Sequence, residues 1–411
     1  MIIHRYPISI SIMIKLLLVL VLFSTVSVRA DASSQDAIAD DEFVSRAIQL
    51  QKEKVKINPY SHDIVSPFNV GNSQKSSIDH VNLWVYFTDK KKTTANSTTT
   101  INLNQQSLSR RSSRSEHAVG ALKNIYQNSN SKSSADYVID SFDVPINQIY
   151  IDRVVAVDSS LISVRHRSNW LNAVSITVRL DNNLSTLDEK EAELSKLVKR
   201  IKTLPNVLKV IEVSQIKSTS SEQKPLTASK SLINEDLVNL VNGVDYAQSF
   251  KQLSQINIID AHTNGYTGKG VTILILDTGF YKDHESLKNC KIVGEHNFID
   301  NTSETQGPLG DPQNSHGTYI LSNLAAYQPG KMIGAAYNAN YLLAKTEIVS
   351  KEIPVEEDYF ISALEWGESQ GVDVVTASLG YNEWYKYWDL TGDSAISKAV
   401  DIATGKGVVV Y

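Results

Sequence analysis

The sequence predicts two folded units in series: an α+β unit of the split β-α-β kind, then an α/β unit built on a parallel sheet. Three observations carry this expectation. A capped amphipathic segment between Ser185 and Thr203 is flanked by strand-like runs at Trp170–Val178 and Val207–Val213. The run Val271–Leu276 is apolar at every position but one Thr, as suits a strand buried on both faces of a parallel sheet. Beyond Gly243, strand-like and helix-like segments alternate to Tyr411.

A chain of 411 residues is long enough for two or more domains. Hydrophobic residues make up 42% and charged residues 21%, which supports packed cores rather than disorder. The net charge of −5 and the lack of any basic stripe argue against a nucleic-acid partner.

From the N-terminus, residues 1–30 carry His4, Arg5 and Lys15, the apolar run Leu16–Phe23, and Val28-Arg29-Ala30. That is the layout of a secretory signal peptide, with cleavage expected after Ala30 and a secreted or extracytoplasmic product. The apolar run falls short of the ~20 residues that span a bilayer, so no membrane association is expected after cleavage. Cys290 is the single cysteine, so no intrachain disulfide can form, and it reads as a small packed side chain.

Residues 31–75 are polar, with one helical stretch at Asp41–Val55. The order Val81–Phe87 is β-branched and aromatic and reads as a strand. A Ser/Thr/Asn-rich tract follows, Lys91 to Ser134, containing Arg110-Arg111 and a short helical piece at His117–Tyr126. Its composition predicts solvated loop, with Arg110-Arg111 at the surface rather than at a processing site. Ile149–Val157 and Leu161–Val164 fit either two strands or a helix and a strand, and Trp170–Val178 alternates apolar and polar. In the following helix Thr186 and Glu189 form a capping box, Leu187, Leu194, Leu197, Val198 and Ile201 share one face, and Leu204-Pro205 ends it. With the strand Val207–Val213 this closes a unit spanning 76–216. Residues 217–245, Ser/Lys/Thr-rich with Pro225, read as a linker.

In the second unit, residues 246–411, strands are expected at Val271–Leu276, Lys291–Phe298, Ala335–Thr346, Val372–Leu379 and Gly407–Tyr411. Helices are expected at Thr318–Tyr327, Glu356–Gln370 and Ser394–Ala403. Asp277-Thr278-Gly279 ends the first strand, where open α/β sheets place their active sites. Taken alone it also fits a structural turn or the aspartic-protease signature. The latter needs an all-β fold and a second copy of the motif, and the chain has neither. His316-Gly317-Thr318 opens a helix, which holds the imidazole and disfavours its charged form. Thr376-Ala377-Ser378-Leu379-Gly380 ends another strand and offers an edge to which an extended peptide can pair.

Together, Gly268-Lys269-Gly270-Val271, Asp277-Thr278-Gly279, His316-Gly317-Thr318 and Ser378-Leu379-Gly380 resemble the subtilisin-like serine proteases, over roughly 246–411. The resemblance implies the first half of a subtilisin-like α/β domain, with Asp277 and His316 as triad aspartate and histidine. It also implies that Ser378, Leu379 and Gly380 form the wall that pairs with polypeptide substrates. Ser168–Ser175 and Leu204-Pro205-Asn206-Val207 are similar to propeptides from a bacterial branch of the family. That likeness implies a ferredoxin-like domain that inhibits the enzyme and assists its folding, so the chain's own propeptide is an expected partner. Calcium is common in the family, no ligand set for it is matched, and no other cofactor is identified.

The departure from the family pattern is large. The family continues with Ser-Ala-Gly-Asn, whose Asn completes the oxyanion hole, and later Gly-Thr-Ser, whose serine is the nucleophile. Neither occurs in these residues, and the chain ends within a strand-like run at Val410-Tyr411. It therefore reads as the N-terminal portion of an endopeptidase precursor, inactive as given. The alternative is a non-catalytic binding or inhibitory protein acting through the propeptide-like domain.

Overall fold

The computed structural model describes residues 79–90, 103–112, 141–181, 184, 186–213, 240–350, 353–381, 385, 392 and 394–411. The expected signal peptide, the polar segment 31–75 with its helical stretch, the helical piece at 117–126 and most of the linker lie outside them.

The first unit runs β1 (His80–Phe87), α1 (Gln105–Ser112), α2 (Gln148–Val155), β2 (Ile162–Ser168), β3 (Ala173–Arg179), α3 (Leu187–Lys202) and β4 (Val207–Val213). Its antiparallel sheet has the order β2-β3-β1-β4. With α1 set aside, this is the β-α-β-β-α-β ferredoxin-like arrangement. Between Ile149 and Val157 the helical alternative prevails. Tyr150, Ile151 and Val154 are the buried positions, a period near 3.6 rather than 2, and the Asn147 side chain caps the first turn by accepting from the Ile149 N–H at 3.0 Å. In α3, Thr186 Oγ1 accepts from Glu189 N at 3.3 Å and Glu189 Oε2 from Thr186 N at 3.1 Å, so two orphan donors are satisfied reciprocally. Acidic residues in its first turn and Lys199, Arg200 and Lys202 in its last complement the helix dipole.

Alternation gives the sheet two apolar faces. Leu83, Val85, Ile176 and Val178 pack against Ile151, Val154, Leu194, Leu197 and Ile201 of α2 and α3. The opposite face presents Trp84, Trp170, Ala173 and Val213, which share one core with the second unit.

The second unit begins with the hairpin β5 (Leu240–Val241) and β6 (Val244–Asp245), turned by Asn242 and Gly243 at φ 50 and 81. Val241 and Val244 pack against Tyr246, Leu253 and Ile333, so the last residues of the expected linker belong to a folded cluster. The chain continues through α4 (Phe250–Gln255), α5 (Ile258–Thr263), β7 (Thr272–Asp277), β8 (Lys291–Asn297), α6 (Ser315–Ala325), the hairpin β9 (Tyr327–Gln328) and β10 (Met332–Ile333), and β11 (Asn340–Lys345). Then come α7 (Glu356–Ser369), β12 (Val374–Ala377), α8 (Ala395–Gly405) and β13 (Val409–Val410).

The five-stranded sheet has the order β13-β12-β7-β11-β8 and is parallel throughout. Every residue of β7 is buried. Ile273 and Ile275 meet Leu321 and Ala325 of α6, while Leu274 and Leu276 meet Ile361 and Leu364 of α7. The continuous apolar run is thus explained by helices on both faces. After β7 the chain builds β8 and β11 on one side, then crosses to β12 and β13 on the other. This places the topological switch, and hence the expected crevice, at the carboxyl end of β7. Among the described residues no helix is long and apolar enough to cross a membrane.

One expectation is corrected outright. The tract 91–134 is not uniformly solvated loop, because α1 lies within it, and Arg110-Arg111 is not surface. The Arg110 and Arg111 side chains are 9% and 0% exposed and are paired with carboxylates. Composition misleads here because the partners that permit burial come from distant segments.

Candidate active site

Asp277 is the last residue of β7 and is fully buried. Its Oδ1 accepts from the Thr278 N–H at 2.7 Å and from Thr278 Oγ1 at 3.1 Å, which orients the carboxylate from behind. His316, in the first turn of α6, directs Nδ1 at the same carboxylate, 2.9 Å from Oδ1 and 3.0 Å from Oδ2. The acid side chain is 0% exposed and the imidazole 45%, so one partner is sealed in while the other reaches the surface. A carboxylate facing Nδ1 selects the tautomer protonated there and leaves the basic lone pair on Nε2.

The close approach depends on backbone. A Cβ on Gly317 would lie 2.3 Å from the carbonyl oxygen of Gly279 and 3.1 Å from Asp277 Cβ, so glycine is needed for α6 to meet the β7 loop. Gly279 itself has φ 150, in the range open chiefly to glycine. Thr318 Oγ1 accepts from the Tyr281 N–H at 2.7 Å, tying the second turn residue of α6 to the same loop. Gln313 donates to the carbonyl of Thr278 at 2.6 Å and to that of Glu347. It therefore staples the loop before α6 to the ends of β7 and β11. Nothing in the sequence reading singled out Gln313, and Thr278 entered it only as the middle of the Asp277-Thr278-Gly279 motif, with no role of its own. A short polar side chain beside the Asp was the available signal for Thr278, and Gln313 had none.

Ser378, Leu379 and Gly380 follow β12, next to β7 in the sheet. Ser378 and Gly380 are exposed and Leu379 is half-buried against the core under α7. A Cβ on Gly380 would meet nothing within 4 Å, so that side of the segment is open. The structure thus brings Asp277 and His316 into direct contact, with 378–380 at the carboxyl end of the neighbouring strand.

A second set of polar residues lies along α7, where the sheet of the first unit docks. Asp358 accepts from Trp84 Nε1 at 2.5 Å, Ser175 Oγ at 2.6 Å and Arg165 Nη1 at 2.7 Å. Two turns further along the same face, Glu365 accepts from the N–H groups of Asn169 and Trp170 at 3.0 and 3.3 Å and from the Ser168 hydroxyl. Burial pushes the Glu365 carboxyl up to about 7 in spite of these donors, and burial likewise raises Asp358. His166, edge-on to Tyr359 at 5.3 Å, is held down to about 4 by burial and then by Arg165 and His296. Sequence reasoning missed this surface because each half of it is only a carboxylate on a helix or an aromatic in a strand.

The sequence model of the subtilase family matches residues 268–411, which hold both Asp277 and His316. The model of the peptidase S8 propeptide domain of Bacteroidota matches residues 82–225. Subtilisin E of Bacillus subtilis (strain 168) is 31% identical over 168 residues, covering 40% of this chain and 40% of its own. The intracellular serine protease of Paenibacillus polymyxa is 32% identical over 148 residues, 32% of this chain and 43% of its own. Among solved structures, fervidolysin from Fervidobacterium pennivorans aligns over 64% of this chain and 38% of its own, at 17% identity and a TM-score of 0.41. The chain spans about two fifths of the length of the subtilisins it matches. Propeptide match and protease match stand in the order of a subtilase precursor, each over its own sheet, and residues 268–411 are similar to the subtilase family of serine proteases.

Proposed function

We propose that Asp277 and His316 are the orienting carboxylate and general base of a secreted serine endopeptidase that cleaves polypeptides. The observation that carries this reading is the buried Asp277 carboxylate on His316 Nδ1 at the carboxyl end of the central strand. In such a pair Nε2 takes the proton of an attacking serine hydroxyl and later passes it to the leaving amine. The carboxylate holds the tautomer and stabilises the imidazolium formed in between. Ser378, Leu379 and Gly380 are proposed to bind substrate backbone by main-chain pairing. The first unit is proposed to act as inhibitor and folding assistant through its contact with α7. Among the described residues no group of three or more His, Cys, Asp or Glu side chains gathers around a metal position.

No Gly-Thr-Ser and no Ser-Ala-Gly-Asn occurs in the 411 residues. We therefore expect this polypeptide on its own to have neither the nucleophile nor the oxyanion donor. Purified residues 31–411 should take up no fluorophosphonate probe and should leave an unfolded protein substrate intact. Labelling, or cleavage abolished by His316→Ala, would overturn that expectation. The pair itself is tested in the same material by ¹⁵N shifts of the His316 ring. The Nδ1–H tautomer is expected, and a ring that is unaffected by Asp277→Ala would sink the assignment.

A further inference from the structure

We propose that residues 103–112 are a latch, a second anchor of the propeptide seated at the amino-terminal end of the parallel sheet and acting independently of the active-site crevice. The proposal rests on the reading of the first unit as a propeptide that is cut from the catalytic part.

α1 is not one of the elements of the ferredoxin-like arrangement, yet it is fastened at its first and last turns. Asn104 Oδ1 caps it by accepting from the Ser107 N–H at 2.9 Å. The same residue closes the end of α7, its N–H donating to Ser369 O at 3.0 Å and its amide to Gln370 O. Those are terminal carbonyls that the helix cannot satisfy itself. Gly371, at φ 85, leaves the room, since a Cβ there would lie 2.5 Å from Asn104 Oδ1. Gln106 Nε2 donates to Thr272 Oγ1 at 3.1 Å and to Asp373 Oδ2 at 3.0 Å, the residues that open β7 and precede β12. Thr272 and Asp277 are the two ends of one strand, about 16 Å apart at the usual rise. The seat is therefore at the opposite end of the sheet from His316.

The charges make the seat specific. Arg111 is fully buried and bidentate on Asp143 at 2.8 and 3.0 Å, while its Nε donates to Glu368 at 2.9 Å. Arg110 reaches Glu368 at 2.5 Å and the carbonyl of Val372, and Ser107 Oγ donates to Glu368 at 2.8 Å. Lys406 completes the network on Asp143 at 2.9 Å. The propeptide thus contributes Arg110, Arg111 and Asp143, and the catalytic part contributes Glu368 and Lys406. Burial pushes the Glu368 carboxyl up, but the Arg111 hydrogen bond and charge, and then the Lys406 charge, hold it below its ordinary value. When the latch leaves, Glu368 and Lys406 remain as neighbours of opposite sign. The seat is then not left with a lone buried charge, so opening is reversible rather than destructive.

The test uses the full chain with a site for a sequence-specific protease placed within residues 217–239. After that cut, the wild-type pieces should co-elute on size exclusion. Arg111→Ala should release the propeptide piece on the order of 100-fold faster, because it removes the one guanidinium that bridges Glu368 and Asp143 and leaves each buried carboxylate short of donors. Glu368→Gln, which opens no cavity, should speed release at least about tenfold, and Arg111→Lys should fall between Arg111→Ala and wild type. Far-UV circular dichroism and melting of each uncut variant check folding. If Arg111→Ala does not fold uncut, the other two variants decide. Release at the wild-type rate in the folded variants, or wild-type pieces that part at once, would overturn the latch. No activity is read, so the outcome does not depend on the peptidase assignment. Failure of the propeptide reading would show separately, as an isolated 76–216 segment that leaves a complete related subtilase uninhibited.

Discussion

Gly317→Ala is the smallest change that should dismantle the Asp277–His316 arrangement. The added Cβ would sit 2.3 Å from Gly279 O, 3.0 Å from the Phe280 ring and 3.1 Å from Asp277 Cβ. Ordinary contacts of this kind are about 3.4 Å or more, so α6 and the loop must part by roughly 1 Å. Neither side yields readily. Gly279 is hemmed by the carbonyls of Gln313 and Thr305 at 3.0 and 3.1 Å, measured from its own ideal Cβ, and Phe280 N–H is bonded to Thr305 O at 3.2 Å. On the other side, Thr318 is bonded to Tyr281 and Gln313 to Thr278. The clash is with backbone and buried side chains rather than a flexible tip, which places the cost at about 3 kcal/mol, the upper end for overpacking. For a body of this size that lowers the melting temperature by roughly 6–12 °C. Thermal and urea unfolding of residues 31–411 measure it, with Ser315→Ala, exposed at the start of the same helix, as the control expected to stay within about 0.5 kcal/mol. A Gly317→Ala chain as stable as that control, with its His316 tautomer unchanged, would refute the reasoning.

Two further outcomes follow from buried ionisable groups. Burial raises Glu365 from 4.5 to about 7, so the folded chain holds a proton there that the unfolded chain has lost. Its contribution to stability is complete below about pH 4.5 and fades as pH rises through 7. At full effect the loss is roughly 3 kcal/mol. The difference in urea midpoint between wild type and Glu365→Gln, followed from pH 4.5 to 7.5, should therefore change with pH, and a constant difference would exclude the shift. Burial also pushes the Cys290 thiol up to about 12, so a thiol reagent at pH 8 should react with it only as the chain unfolds. Stoichiometric labelling of the native chain within minutes would contradict its packing.

Sequence alone settled what is decided locally. The Thr186–Glu189 box and the stop at Leu204-Pro205 bound α3 because capping and chain termination act over three or four residues. Thr272–Asp277 is legible as a doubly buried strand because helices on both faces leave almost no position for a polar side chain. Asp277 and His316 were nameable for a related reason, since each stands at a strand or helix end in a short motif whose glycines permit close approach. What brings them to 2.9 Å is tertiary: the parallel pairing of β7 with β11 and the placing of α6 across the sheet. The helix at Gln148–Val155 lay between these cases, because eight residues carry too few periods to separate 3.6 from 2 until the sheet shows which side is covered. Arg110 and Arg111 were beyond sequence reasoning altogether. Guanidinium groups amid Ser and Asn belong in water unless carboxylates meet them. Asp143 and Glu368 do meet them, and Glu368 is 257 positions along from Arg111, so only the folded chain brings it there.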